Sequence, residues 1–196
     1  MVRVDRAAYC PASPYDDCPQ RIGFNATISA PHMHGHALEW LSSRLQPGSR
    51  VLDIGCGSGY LTACFGELVK GKGGKVFGID HIEGLVALSK QNMERGNPDL
   101  LADGTATLSV RDGFLGLPEE APFDVIHVGA AAPTLPSTLV EQLKPGGMIF
   151  IPVGPDGGSQ EIICVSKAID GRIEKQSLMG VRYVPLTTAA KQLARR

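Results

Sequence analysis

Short apolar runs alternate with amphipathic segments through the middle of this 196-residue chain. The apolar runs predict strands at residues 50–54, 75–79, 106–110, 123–128 and 148–153. Apolar positions that recur at helical spacing predict helices at residues 34–45, 59–69, 82–93 and 135–143. Strands and helices that alternate in this way indicate an α/β fold with a mainly parallel, doubly wound sheet.

The two ends of the chain depart from this alternation. Residues 161–167 and 172–178 flank the tight-turn dipeptide Asp170-Gly171 and predict a C-terminal antiparallel hairpin. Residues 1–33 contain four prolines and are expected to be irregular, but their later part is too apolar for a free tail. We expect that part to pack on the sheet edge and to cover the cofactor and substrate. Without repeats or a linker, a single domain over residues 1–196 is predicted.

Composition narrows the class of protein. Hydrophobic residues make up 43% of the chain and charged residues 20%, and the net charge of −1 offers no electrostatic footprint for nucleic acid or an anionic membrane. No apolar run approaches the roughly 18–20 residues that span a bilayer. The five cysteines form no C-x-x-C pair and indicate reduced, mostly buried thiols. We therefore expect a cytoplasmic monomer without nucleic-acid or membrane partners.

The most informative motif is the loop Asp53-Ile54-Gly55-Cys56-Gly57-Ser58-Gly59 between a strand and a helix. Glycines there let a ligand lie against bare backbone, and the amides that open the helix face it. A dinucleotide fingerprint, G-x-G-x-x-G, needs glycine where Tyr60 stands. Asp53 would also repel a pyrophosphate, whereas S-adenosylmethionine carries a sulfonium and an ammonium. The motif favours S-adenosylmethionine over NAD, and both over a structural turn without a ligand.

Polar groups follow the other predicted strands, at the sheet edge where open α/β folds bind ligands. Asp80-His81 lies about 20 residues past the loop, where a carboxylate accepts hydrogen bonds from ribose hydroxyls, although Asp80 can also cap the next helix. Asp112-Gly113 can hold an adenine ring or form an ordinary Asp-Gly turn. Small residues at positions 129–133 leave space for the methionine portion of the cofactor or for the substrate.

Other candidate chemistry is weak. His32, His34 and His36 cluster in the sequence, but no acidic or cysteine ligands accompany them, so no metal site is predicted. His127 lies in an apolar strand and is expected to be a core histidine with its hydrogen bond satisfied. Ser58 lacks the G-x-S-x-G elbow of a hydrolase.

With these residues the chain resembles the protein-L-isoaspartate (D-aspartate) O-methyltransferase family from about Arg3 to its C-terminus. The resemblance lies in residues 22–34, 51–65, 78–81, 124–133, 143–147 and 179–187. The first of these stretches is the specific one, because the glycine loop fits any S-adenosylmethionine methyltransferase of this Rossmann-like fold. The resemblance implies methyl transfer to the free α-carboxylate of L-isoaspartyl and D-aspartyl residues in damaged proteins and peptides, with S-adenosylhomocysteine as the other product.

The resemblance also implies the site residues. Ser29 matches the active-site serine of the family, although a serine at this place can instead cap the following helix. The positions that match cofactor contacts of the family are Ile22, Gly23, Phe24, Asn25, Met33, Ser58, Asp80, His81, Asp112, Gly113, Thr187 and Gln192. From the glycine loop we add Asp53, Gly55, Gly57 and Gly59. Gln192 implies that the C-terminal tail folds back over the cofactor as a lid.

The implied reaction needs no strong general base, because a carboxylate is already ionised and nucleophilic at neutral pH. The enzyme aligns the reacting atoms and excludes water, for which a Ser29 hydroxyl and the backbone amides of Thr27-Ile28-Ser29 are suited. Relative to the family, about one helical segment ahead of Met1 is expected to be missing. Two alternatives remain: a methyltransferase for another carboxylate or for nucleic acid, and a catalytically weak module that binds cofactor and isoaspartate.

Overall fold

The computed structural model describes residues 3–194, and residues 1–2 and 195–196, the ends of the predicted domain, lie outside the described residues. The chain forms nine strands in this range. In order they are β1 (Gln20–Gly23), β2 (Ala26–Ile28), β3 (Arg50–Ile54), β4 (Lys75–Asp80), β5 (Ala106–Val110), β6 (Phe123–Val128), β7 (Leu143–Val153), β8 (Gln160–Lys167) and β9 (Ile173–Val181).

Six α-helices connect and cover the strands in the described range. They are α1 (Pro31–Leu41), α2 (Tyr60–Val69), α3 (Glu83–Gly96), α4 (Pro98–Ala102), α5 (Ser137–Glu141) and α6 (Ala189–Leu193). Short 3₁₀ turns lie at Arg6–Ala8, Ser42–Arg44 and Pro118–Glu120. None of the helices in residues 3–194 has the length and apolar character that crossing a bilayer requires.

Seven of the strands form one sheet in the order β5-β4-β3-β6-β7-β8-β9. The pairs from β5 to β7 are parallel, and β8 and β9 are antiparallel to their neighbours. The predicted α/β class, with a mainly parallel sheet and a C-terminal hairpin, is confirmed. Because β3 and β6 are neighbours, the order of strands reverses there, and loops leave the sheet in opposite directions.

The central strands bury side chains on both of their faces, since successive residues point to opposite sides. Val51 and Val125 lie in one apolar layer, with α1, α2 and α3. Leu52 and Ile126, the next residue on each strand, lie in the second layer, beneath α5. All four side chains are inaccessible to solvent. This double burial explains why the strands read as continuous apolar runs in the sequence.

Several element boundaries differ from those predicted. Helix α1 begins at Pro31 rather than at residue 34, because proline suits the first helical turn, where its missing N–H is not needed. It ends at Leu41 in a 3₁₀ turn. Helix α5 begins only after Pro136 and is shorter than predicted. Helix α4, which follows the predicted stop at Gly96, was not predicted.

Strand β7 begins at Leu143, so it includes residues 144–147, which lie between the predicted helix and the predicted strand. Leu143 pairs with Phe123 and Met148 pairs with Val125, so the intervening residues form a bulge within the strand. A bulge lets a strand continue past residues that do not fit the ladder.

Contrary to the prediction, the N-terminal segment is not irregular throughout, because residues 20–28 form a hairpin. The antiparallel β1–β2 hairpin lies against the glycine loop and the start of α3. The Cδ1 atom of Ile22 lies 3.2 Å from the position that a Cβ on Gly57 would take, and the ring of Phe24 lies against Gly84. The buried hairpin side chains Ile22 and Ile28 belong to the apolar layer that contains α1, α2 and α3.

The cysteine prediction is confirmed. All five cysteines are free thiols, and four of them are buried. Cys18 alone is exposed. Burial raises the pKa of Cys64 to about 11, which keeps that thiol protonated at neutral pH.

Two leucines on helices, one buried and one exposed, test the contribution of core packing to stability. We expect Leu41→Ala, at a side chain that is 0% exposed, to lower the free energy of unfolding by about 2–5 kcal/mol, because it leaves a cavity. The control Leu68→Ala, on α2 at a side chain that is 44% exposed, should change it by less than about 0.5 kcal/mol. Urea denaturation of both variants measures this, and equal losses would contradict the assigned core.

Candidate active site

The glycine loop leaves the sheet at the carboxyl end of β3 and turns at once into α2. Its three glycines, Gly55, Gly57 and Gly59, have φ values of 77°, 52° and 84°, a region that other residues rarely adopt. The turn is also closely packed, since a Cβ on Gly59 would lie 3.0 Å from the Cβ of Ser89. Glycine is therefore required here by the backbone and by the neighbouring helix.

A cleft of about 550 Å³, its open mouth included, lies beside this loop at the carboxyl ends of β3, β4 and β6. The cleft brings together six of the predicted residues, namely Gly55, Gly57, Asp80, His81, Gly113 and Gln192. Its floor includes Gly129 and Ala130, two of the small residues that follow β6.

Asp80 ends β4 and faces the glycine loop. Its Oδ2 accepts a hydrogen bond from the amide of Gly57 at 3.2 Å, and its Oδ1 accepts one from the amide of Ile82 at 3.1 Å. Burial raises the pKa of this carboxyl, and the hydrogen bonds from the two amides oppose the increase. Ile82, not Asp80, is the N-cap residue of α3, so Asp80 does not cap that helix in the usual position.

Asp53, at the base of the loop, is held by two side chains. Its Oδ1 lies 2.8 Å from Nδ1 of His127, and its Oδ2 accepts a hydrogen bond from the hydroxyl of Thr62 at 2.5 Å. The prediction of His127 as a core histidine with a satisfied hydrogen bond is confirmed. A smaller cavity, of about 370 Å³ with its open mouth, lies above Asp53 and is also lined by Ser58. Asp53 thus places a negative charge beneath the loop.

A second cleft, of about 1,120 Å³ with its open mouth, adjoins the first and contains Ser29 and Met33. Ser29 does not cap α1, because Ala30 is the N-cap residue and accepts no side-chain hydrogen bond. Its side chain lies near the phenol of Tyr183. Burial raises the pKa of Tyr183, and hydrogen bonding with Ser29 opposes the increase. The residues common to the two clefts are Thr27, Gly129, Val184 and Pro185.

The C-terminal tail lies across the mouth of the first cleft, as Gln192 implied. The side-chain Oε1 of Gln192 lies 2.7 Å from Nε2 of His81, and its Nε2 donates a hydrogen bond to the carbonyl of Phe24 at 3.0 Å. The side-chain amide of Asn25 donates a hydrogen bond to the backbone carbonyl of Gln192 at 3.0 Å. The tail therefore connects the N-terminal hairpin to the end of β4.

The remaining predicted residues surround these cavities rather than line the first two clefts. Asp112 is exposed, and its Oδ1 accepts a hydrogen bond from the amide of Phe114 at 2.9 Å, which is the geometry of an Asx turn. Gly59 packs against α3, and Ile22 supports the loop from behind. The others are Gly23, Phe24 and Asn25, in the hairpin turn, and Thr187, which follows the cleft residue Leu186.

Tyr183, Val184, Pro185 and Leu186 line the clefts and were not assigned as site residues. They reach the site because the amide of Ala131 donates to the carbonyl of Val184, and the amide of Leu186 donates back to Ala131, both at 2.8 Å. The resemblance included this stretch, but no local motif marks it. Its position depends on a pairing with residues that lie about fifty positions earlier in the chain.

The histidine cluster has separate partners. His32 pairs with Asp17 at the surface at 2.8 Å, whereas His34 is buried against Arg6. Within residues 3–194, no group of three or more histidine, cysteine or acidic side chains is arranged to hold a metal ion.

Comparison with known proteins identifies the family. The model of the protein-L-isoaspartate (D-aspartate) O-methyltransferase family matches residues 1–191. The protein-L-isoaspartate O-methyltransferase of Triticum aestivum is 51% identical over 196 residues, which cover 98% of this chain and 84% of that protein. The enzyme of the same name from Caenorhabditis elegans is 45% identical with the same coverage.

A solved structure agrees with these matches. A β-aspartate methyltransferase from Plasmodium falciparum, in complex with S-adenosyl-L-homocysteine, superposes with a TM-score of 0.88 at 37% identity, covering 95% of this chain and 88% of that one. The predicted family, enzyme class and cofactor are confirmed. The chain belongs to the protein-L-isoaspartate (D-aspartate) O-methyltransferase family of S-adenosyl-L-methionine-dependent enzymes.

Proposed function

We propose that this chain methylates the free α-carboxylate of L-isoaspartyl and D-aspartyl residues in damaged proteins and peptides, using the cleft beside the glycine loop for the cofactor and the Ser29 cleft for the substrate. The observation that carries the proposal is the junction of the two clefts. They share Thr27 and Gly129, so a ligand in one can reach a group held in the other. The family match supports the same reaction.

The donor groups around the first cleft fit S-adenosylmethionine. Asp80 presents a buried carboxylate that can accept hydrogen bonds from ribose hydroxyls, and Gly113 also lines the cleft, where we assign the adenine. The backbone at Gly55 and Gly57 is open to the methionine portion, above the negative charge of Asp53. When bound, the cofactor supplies an electrophilic methyl group on a positively charged sulfur.

The substrate side needs positioning groups rather than a strong base. The α-carboxylate of an isoaspartyl residue is ionised at neutral pH and is already a nucleophile. The hydroxyl of Ser29 can donate to one carboxylate oxygen, and Tyr183 lies close enough to hold the Ser29 side chain in place. The tail residue Gln192 limits the access of water to the first cleft. Orientation of reacting groups and exclusion of water are the main contributions such an enzyme can make.

The same proposal includes the setting in which the protein works. The free thiols are typical of a reducing compartment and support a cytoplasmic location. The near-neutral charge and the single-domain pattern of the chain support a monomer, and the net charge of −1 supports peptides rather than nucleic acid as substrates.

Matched peptides that differ only in one linkage test the reaction. With methyl-labelled S-adenosylmethionine, we expect label on a peptide that contains L-isoaspartate and none on the same peptide with L-aspartate, because only the former presents the displaced α-carboxylate. Scintillation counting of the separated peptides measures this. Equal labelling of both would refute the proposed substrate, and binding of S-adenosylhomocysteine without any transfer would favour a catalytically weak binding module.

Two substitutions should separate the cofactor cleft from the substrate cleft. We expect Asp80→Ala to raise the Kd of S-adenosylhomocysteine at least about tenfold, since hydrogen bonds to a charged group contribute about 1.5–3 kcal/mol each. Ser29→Ala should leave that Kd unchanged and lower kcat at saturating cofactor. Calorimetric titration and initial rates measure the two effects, and each variant is the control for the other. Unchanged parameters in both variants would refute the assignment.

Because Gln192 holds the tail at the first cleft, we expect the cofactor to dissociate more slowly from the wild-type protein than from a Gln192 variant. We expect Gln192→Ala to speed the dissociation of S-adenosylhomocysteine by about threefold to tenfold, because one or two neutral hydrogen bonds of about 0.5–1.5 kcal/mol are lost. Lys191→Ala, at an exposed neighbouring position, is the matched control. Stopped-flow competition measures both rates, and equal rates would show that Gln192 does not hold the cleft closed.

A further inference from the structure

A buried arginine lies directly behind the active-site serine. Arg6, in the first 3₁₀ turn of the described chain, is only 4% exposed although it carries a full charge. Its Nη2 donates a hydrogen bond to the backbone carbonyl of Ser29 at 2.7 Å, and its Nη1 lies 3.0 Å from Nδ1 of His34. The guanidinium carbon lies 5.1 Å from the centre of the Tyr60 ring.

This arrangement is costly for a residue with only a packing role. Within residues 3–194, Arg6 forms no ion pair, and its Nε is buried without a hydrogen-bond partner. Burial lowers the pKa of Arg6. An uncompensated buried charge costs several kcal/mol, whereas an apolar side chain of similar volume would fill the space without that cost. The contacts that Arg6 makes therefore call for a role beyond packing.

The contacts also fix the state of His34. Arginine only donates hydrogen bonds, so Nδ1 of His34 must accept, and the imidazole is neutral with its proton on Nε2. Burial and the nearby charge of Arg6 both lower the pKa of His34, with His127 and His32 adding to the effect. His34 and Ser29 line the same small cavity above Asp53. Arg6 thus joins two walls of that cavity from outside it.

We propose that Arg6 is a positioning residue for methyl transfer, which holds the Ser29 backbone through its carbonyl and ties it to α1 through His34. Ser29 lies at the junction between β2 and α1, where no strand ladder or helix fixes its backbone. The hydrogen bond from Arg6 fixes the orientation of the Ser29 carbonyl and therefore of its backbone. The backbone in turn orients the Ser29 hydroxyl. The inference rests on the proposed function, because it assumes that Ser29 orients the substrate carboxylate.

The first test compares two arginines that hold the same N-terminal segment. We expect Arg6→Gln to lower kcat on the isoaspartyl peptide about tenfold, since small misplacements of a positioning group have effects of this order or larger. The Kd of S-adenosylhomocysteine should change less than twofold. Arg95→Gln is the matched control, because Arg95 donates to the carbonyl of Ala8 at 3.2 Å and makes no contact with Ser29. It should leave kcat unchanged.

A double-mutant cycle separates positioning from a general loss of structure. If Arg6 acts through Ser29, then Arg6→Gln should have little further effect on kcat in the Ser29→Ala background, since the two changes remove one interaction. The same fold-loss in both backgrounds, or a wild-type kcat in Arg6→Gln, would overturn the inference.

Arg6→Lys keeps the charge and a donor for the Ser29 carbonyl, and it should recover part of the lost kcat. If thermal unfolding shows that Arg6→Gln does not fold at the assay temperature, Arg6→Lys takes its place in the test. A folded Arg6→Lys whose kcat equals that of the wild-type protein or falls to the background rate would then count against the inference. A wild-type protein that fails to label the isoaspartyl peptide would refute the proposed function itself, a result distinct from any that concerns Arg6.

Discussion

The buried carboxylate of Asp53 is the constraint on which the geometry of the site depends. A charge in an apolar interior is tolerated only when its oxygens are hydrogen-bonded. Here Thr62 on α2 and His127 on β6 satisfy both oxygens of a residue on β3. Three elements therefore meet at one polar cluster, and the glycine loop leaves the sheet from a fixed position. The same charge lies beneath the loop, where it complements a cationic ligand and opposes a pyrophosphate.

Above this fixed base, the site is built from segments that are distant in the sequence. The N-terminal hairpin, the glycine loop, residues 184–186 and the C-terminal tail all meet at the carboxyl ends of β3, β4 and β6. Besides apolar packing of the hairpin, long-range hydrogen bonds hold them together: Gln192 joins the tail to the hairpin and to His81, while Arg6 joins the first turn to Ser29. Each of these links spans more than twenty residues of chain, and the tail links span more than one hundred. The long-range links close the site.

The sequence predicts the strand ends that border the first cleft well, because their signals are local. Gly55, Gly57 and Asp80 lie at the ends of strands, and the apolar runs locate those ends to within one residue. The sheet then brings the strand ends together. The hairpin at β1–β2 was not predicted, since its turn has positive φ at Phe24, a residue type that rarely adopts this conformation.

Residues of the substrate side could not be found by local reasoning. Ser29 is recognisable only through the family resemblance, because a serine before a proline-led helix otherwise suggests a cap, and the structure assigns the cap position to Ala30. Tyr183 gives no signal in its own neighbourhood, and it reaches Ser29 only after β9 ends and the chain pairs with Ala131. Contacts of this kind depend on the whole fold, so spacing and composition do not reveal them.

This difference between the two sides has a consequence for how the protein works. The base of the proposed cofactor cleft is formed by continuations of the central strands β3, β4 and β6, which are part of the buried core. The proposed substrate cleft is formed mostly by the N-terminal segment and by the chain after β9, which are held outside the central sheet by contacts such as the Arg6–Ser29 and Ala131–Val184 hydrogen bonds. Segments held in this way open locally at a much smaller free-energy cost than the core. A peptide substrate is far larger than a nucleoside cofactor and must enter where the chain can yield. Rigidity beneath the cofactor and local opening beside Ser29 are therefore complementary requirements of one site.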